Sequence, residues 1–418
     1  MPLQGPLVVV TEKPAPDLVE ALAAAEAFPV VESRWADASA AVIAIEPSAI
    51  VLADAGPDAE AARHLGIQIK TRNGPFIPVI SRMRVDGATA MQDALPVDPT
   101  APIDRLVARL RSALRIRALH ATVLRRAETL ASQTGLVAQF PDSDPFDDAT
   151  VLVAGRGGSY PALVVAVGER VGLIGALSIE MAARYLTSRH VDGMIIGDGF
   201  SHRVIDAFLT ALAEDARFRD MPIAVLANIG VTAHYQNLAN LERIEGRPAQ
   251  VLDWMAPLVR LRAFEARLKR MLKTLDAKGL IDPESGLMTA DAFGRELHRA
   301  VSEAARNGAG LCLARLVFNA DERRAGLDAA RLIGGLIRNI DFACREPDGA
   351  IMVVFTETEL RSANIIARRI AATLKSTMVM SADPARRAQP AITLATLKAT
   401  DTPDTLVARV GGRVVAAA

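Results

Sequence analysis

From Leu7 onward the chain alternates short apolar, β-branched runs with Ala- and Leu-rich stretches whose apolar residues recur at helical spacing. The pattern predicts strands at 7–11, 30–33, 49–53 and 77–81, with helices at 17–27 and 39–45. A long helix from Pro102 to about Leu130 closes this stretch, with proline at its first turn. Continuously apolar strands separated by amphipathic helices imply a parallel sheet covered on both faces. The acidic stretch Pro141-Asp142-Ser143-Asp144-Pro145-Phe146-Asp147-Asp148 reads as a linker, after which the pattern restarts. Strands are predicted at 151–154, 172–176, 193–196 and 223–227, and helices at 162–169, 179–187 and 257–278. A repeat period of about 145 residues indicates a duplicated domain rather than a solenoid.

The character changes at Gly279. A helix at 290–306, a strand at 311–318 and a helix at 327–340 lead to a hairpin-like pair, 343–345 and 350–355. Glu346-Pro347-Asp348-Gly349 joins that pair, and a helix at 359–374 and a strand at 392–397 follow. This is a split α+β sheet of ferredoxin-like type. The expected organisation is a first α/β domain over 5–131, a linker over 132–148, a second α/β domain over 149–275 and the α+β domain over 276–418.

Composition narrows the function classes. The chain has 418 residues, 48 basic and 48 acidic, so it carries no net charge to attract nucleic acid or anionic lipid. Aromatic residues make up 4%, too few for a stacking platform on single strands. Two cysteines, Cys312 and Cys344, exclude a disulfide scaffold and a cysteine-built zinc site, and the six histidines show no metal-ligand spacing. Cys344 falls in a predicted strand and reads as a small core residue. No apolar run is long enough to span a membrane and the N-terminus lacks signal-peptide character, so a cytoplasmic location is expected. Arginine outweighing lysine, with abundant alanine, fits a GC-rich bacterial genome.

The residues then suggest a family. The first two domains resemble the flavodoxin-like receiver domains of two-component response regulators, and the third resembles a diguanylate cyclase (GGDEF) domain. The order resembles the PleD and PopA type of regulator. Asp282-Pro283-Glu284-Ser285-Gly286-Leu287 resembles the segment that opens cyclase domains, and Arg338-Asn339-Ile340-Asp341-Phe342-Ala343-Cys344-Arg345 resembles the segment that leads to their signature loop. In that register the Gly-Gly-Asp/Glu-Glu-Phe signature falls on Pro347-Asp348-Gly349-Ala350-Ile351. Pro347 and Asp348 replace glycines that let the backbone approach the nucleotide, while Gly349 and Ala350 carry no carboxylate.

Other losses accompany this one. The family's metal-binding Asp falls near Leu316 or Val317, the segment that reads guanine is shorter by about two helical turns, and the tail ends early in Arg409-Val410-Gly411-Gly412-Arg413. The resemblance therefore implies a degenerate cyclase, not an enzyme, without a route to two-metal phosphoryl transfer. What survives is an Arg-x-x-Asp motif, Arg338 and Asp341, in the register of the family's inhibitory site for cyclic di-GMP. Arg369, on the later helix, completes it. The resemblance implies no cofactor, with cyclic di-GMP as ligand, bound as a stacked dimer in the family's geometry: Arg338 and Arg369 would bond guanine or phosphate, and Asp341 a guanine N–H edge. The alternative for Arg338 and Asp341 is an ordinary i,i+3 ion pair on a helix face.

The receiver resemblance is thinner in chemistry. In the first domain Asp54 stands near the phosphoacceptor position, although Ala53 fits the spacing as well, and Ser81 ends the fourth strand. Only Glu12 remains of the acidic pair, and the lysine position is Leu95. Asp54 is thus either a phosphoacceptor or a helix cap. In the second domain Ala154-Gly155 replaces the acidic pair, Ala227 the Ser/Thr, and Asp198 alone remains near the third strand. Gly155-Arg156-Gly157-Gly158 reads as a turn rather than a phosphate loop.

The expected function is a non-catalytic cyclic di-GMP effector that signals through an unidentified protein partner. A nucleotide-independent scaffold or dimerisation protein is the alternative, with an active cyclase third. The helix from Pro102 carries Leu106, Leu110, Leu114 and Ile116 along one side, with Arg109, Arg111, Arg115 and Arg117 on the others. More apolar surface than one domain covers implies pairing of the two α/β domains within one chain or a homodimer.

Overall fold

The computed structural model describes residues 3–54, 59–82, 91, 93–135, 138, 140–226, 238–244, 246–318, 323–377 and 390–411. The chain divides into two compact units, one of residues 1–117 with 141–268 and the other of residues 118–140 with 269–418.

The first unit holds two parallel sheets. The first is built from β1 (Gln4–Val10), α1 (Pro16–Ala24), β2 (Phe28–Ser33), α2 (Ala38–Ile45), β3 (Ala49–Leu52), α3 (Ala59–Lys70), β4 (Val79–Ser81) and β5 (Leu95–Pro96), and is followed by α4 (Ile103–Thr134). The second comprises β6 (Thr150–Ala154), α5 (Tyr160–Gly168), β7 (Gly172–Ala176), α6 (Ile179–Ser188), β8 (Gly193–Ile196), α7 (His202–Glu214), β9 (Ile223–Leu226) and β10 (Leu241–Ile244), and is followed by α8 (Pro248–Leu275). The strand orders are β2-β1-β3-β4-β5 and β10-β9-β8-β6-β7, which is one doubly wound order, 2-1-3-4-5, used twice. Strands β3, β8 and β9 are buried along their whole length, as their unbroken apolar sequences require.

One apolar cluster spans both sheets. It joins Val9 and Ile80 of the first sheet to Val153 and Ile195 of the second, through Leu106 and Leu110 of α4 and Met255 and Val259 of α8. The pairing of the two sheets is therefore within one chain. The arginines of α4 do not all face solvent as expected. Arg109 is fully buried, donating to Glu242, to Asn240 Oδ1 (3.2 Å) and to the carbonyl of Pro96, while Arg115 pairs with Asp220. The stretch expected to be a linker is also fixed in place. Asp144 caps a 3-10 turn (Pro145–Asp148) and pairs with Arg260, and Arg267 bonds Asp148 (2.7 Å).

In the second unit, α9 (Ala290–Asn307) precedes β11 (Leu311–Val317), α10 (Arg323–Leu336), β12 (Phe342–Arg345), β13 (Ile351–Thr356), α11 (Leu360–Thr377), β14 (Ala391–Thr396) and α12 (Pro403–Arg409). The βαββαβ order and the antiparallel sheet β12-β13-β11-β14 form a split βαβ sandwich. The last turns of α4 pack here: Arg125 and Arg126 face the fully buried Glu296 of α9, which also accepts from Thr129 Oγ1 (3.1 Å).

Candidate functional site

Helix α10 ends at Leu336, so Arg338 and Asp341 lie in a turn rather than on a helix face. The amide of Asp341 donates to the carbonyl of Arg338 (2.9 Å), closing the turn. The Asp341 side chain is 1% exposed and its carboxylate accepts from Arg338 Nε (2.9 Å), Arg338 Nη2 (2.8 Å), the Arg338 amide (3.2 Å) and the Thr356 amide (3.1 Å). Burial pushes its carboxyl above the usual value, with Arg338 pulling against that shift. Arg338 Nη2 also donates to the carbonyl of Thr356 (2.8 Å) and to Thr358 Oγ1 (2.7 Å).

The guanidinium is thus locked from one side, yet 37% of the Arg338 side chain is exposed. Among the described residues nothing bonds its Nη1. Both carboxylate oxygens of Asp341 are engaged by these bonds, which hold Arg338 in place. Arg369 is exposed on α11, with no hydrogen bond or ion pair joining it to Arg338 or Asp341. The structure brings the first two residues together and leaves the third as a separate cation.

The hairpin at the signature register is closed on itself. Glu346 N donates to Ala350 O (2.7 Å), Gly349 N to Glu346 O (2.9 Å), and Ala350 N to Asp348 Oδ1 (3.0 Å). Gly349 has φ +87°, the one place in this turn that calls for glycine. Arg315 of β11 donates through Nε to the buried Glu346 (2.6 Å) and pairs with Asp348. Leu316, opposite Ile351 on β13, is fully buried. A guanidinium and two carboxylates that satisfy one another therefore occupy this corner. Arg315 was readable as a lone charge inside an apolar run; Thr356 and Thr358 carried no sequence signal.

The remaining expectations resolve individually. Asp282 accepts from Ser285 Oγ (2.5 Å), the Ser285 amide (3.0 Å) and the Glu284 amide (3.3 Å), folding its segment into a tight turn. The Ser285 hydroxyl above all holds its carboxyl below the usual value. Asp54 accepts from Thr11 Oγ1 (2.9 Å), the Glu12 amide (2.7 Å) and the Trp35 indole (2.8 Å), so its carboxylate ties together the ends of β1 and β3. Asp198 accepts from Ser159, and a Cβ on Gly157 would overlap its carboxylate, which explains the glycine-rich turn after β6. Ala227, Gly412 and Arg413 lie outside the described residues. Burial pushes the Cys344 thiol up and leaves it a core residue. Among the described residues no group of three His, Cys, Asp or Glu side chains is placed to hold a metal, and no helix is long and apolar enough to cross a membrane.

No family model and no curated protein matches the chain. Among solved structures it is similar to the coiled coil and GGDEF domain of DgcB from Caulobacter crescentus in complex with c-di-GMP: 21% identity over 35% of this chain and 84% of that one, TM-score 0.30. It is similar to the diguanylate cyclase SiaD of Pseudomonas aeruginosa, in complex with its activator SiaC, at 18% identity over 35% and 62% of the two chains, TM-score 0.30. The GGDEF domain of FimX from Pseudomonas aeruginosa matches at 18% identity over 32% and 89%, TM-score 0.28. Likenesses this distant carry no weight by themselves, and the functional reading rests on the residues of this chain.

Proposed function

We propose that the protein is a non-catalytic cyclic di-GMP effector, with two receiver-like α/β halves and a degenerate GGDEF unit that binds the nucleotide and signals through protein interaction. The observation that carries this reading is the state of Arg338. Its guanidinium is held by Asp341, Thr356 and Thr358, while its side chain remains 37% exposed and its Nη1 edge is unbonded. A pre-positioned arginine fork suits a guanine O6/N7 edge or a phosphate, since little freedom is lost on binding. Arg369 supplies a second cation, and Asp341 acts through Arg338. The hairpin supports the absence of turnover, because the two carboxylates nearest the signature register are engaged by Arg315. Asp54 is proposed as a structural tie, since a phosphoacceptor needs a free carboxylate oxygen and a metal beside it.

The nucleotide-independent scaffold is the second reading, favoured by the filled acceptor sites of Asp341. Thermal denaturation distinguishes the two. An effector melts at higher temperature with cyclic di-GMP, and the Arg338→Ala/Arg369→Ala variant does not respond. An unmoved transition in the wild type favours the scaffold.

A further inference from the structure

A second concave site lies in the other unit, at the amino ends of β8 and β9, away from the strand ends where Asp198 sits. The end of α6, the loop into β8, the loop after α7 and one turn of α8 enclose a cleft of about 150 Å³. Three guanidinium groups line it, those of Arg189, Arg217 and Arg262, beside the apolar walls of Leu186, Phe218 and Met221.

The charges around the cleft do not balance. Arg217 is held by Asp215 and lies over the Phe218 ring at 5.2 Å. Arg262 donates from Nη1 to Glu265 (2.5 Å) and from Nη2 to the carbonyl of Arg217 (3.5 Å), but among the described residues its buried Nε has no partner. The guanidinium of Arg189 stacks on Tyr185 at 5.3 Å and makes no hydrogen bond or ion pair among the described residues. His190, which also lines the cleft, bonds Asp192 (2.9 Å). Of the three arginines, two are therefore paired with carboxylates and Arg189 is not, and one buried N–H is unmet. Such a donor is costly to leave unpaired, and three adjoining guanidiniums repel.

We propose that this cleft binds a phosphate monoester of a small apolar or aromatic group. Arginine forks match the oxygens of phosphate, the anion answers the unpaired guanidinium of Arg189, and the Leu186, Phe218 and Met221 side chains receive the ester group. The room is too small for a dinucleotide and suits a compact ligand. The site shares no residue with the turn around Arg338.

Calorimetry with the full chain tests it, using phenyl phosphate and inorganic phosphate as probes. Phenyl phosphate should bind more tightly than inorganic phosphate. Arg189→Ala, which breaks no existing bond, should weaken both by about tenfold, the scale of one charge-assisted hydrogen bond. Arg262→Lys keeps the charge, removes the planar guanidinium fork and should weaken both as well. Equal or tighter binding of inorganic phosphate would overturn the ester assignment. Absence of heat at millimolar phenyl phosphate, or affinity unchanged in both variants, would overturn the site.

Discussion

The carboxylate of Asp341 accepts four N–H bonds from its own chain, so its role is to hold Arg338 and the end of β13. Asp341→Ala leaves the buried Thr356 amide unmet and removes two of the bonds that hold the Arg338 guanidinium, which keeps those to Thr356 and Thr358. It should lower unfolding stability by about 1–3 kcal/mol and weaken any ligand contact of Arg338, as denaturant titration and binding would show. The Arg-x-x-Asp spacing was legible in the sequence, whereas its setting was not. Apolar spacing continues past Leu336 through Ile337 and Ile340, and only the side-chain closure by Asp341 turns the chain. Asp282 offers a test by pH. Its carboxyl is held below the ordinary value of 3.8, chiefly by Ser285, so its contribution is complete above that value and is lost as pH falls through the lower folded value. Asp282→Ala should cost about 0.5–1.5 kcal/mol at neutral pH, and the gap from the wild type should close in strong acid.

At the scale of elements, most strands were readable because unbroken apolar runs have few other uses. The short edge strands β5 and β10 escaped, since β5 is two residues long and β10, Leu-Glu-Arg-Ile, carries two charges, and α3, α7 and α12 were not anticipated. The sequence places a helix start at Pro257, whereas α8 begins at Pro248 and carries Pro257 inside it. The apolar face of Val251, Leu252 and Met255, all fully buried, outweighs the hydrogen bond that proline forfeits. Helix α4 shows what composition hides: Arg109 is a core residue because Glu242 and Asn240 come from 131–133 positions away. Arg109→Ala leaves the buried Glu242 with only the longer ion pair to Arg105 (3.6 Å) and should destabilise the unit by about 3–5 kcal/mol, while replacing both partners by methionine should cost much less. Chemical denaturation of the single and double variants checks this.

For the whole molecule, a duplicated α/β half is followed in sequence by a split α+β unit in which Arg315, Glu346 and Asp348 form an ion-pair cluster at the β12–β13 hairpin. Purified protein should form no cyclic di-GMP from GTP with Mg²⁺ or Mn²⁺, read by chromatography of the nucleotides. Turnover abolished by changing Asp348 would restore an enzyme. The most direct measurement is a calorimetric titration of cyclic di-GMP into the wild type and Arg338→Ala, with GTP and cyclic di-AMP as controls. The account expects saturable binding by the wild type that is specific to cyclic di-GMP and about ten- to a hundredfold weaker in the variant. No heat from the wild type, or equal binding by Arg338→Ala, would contradict it.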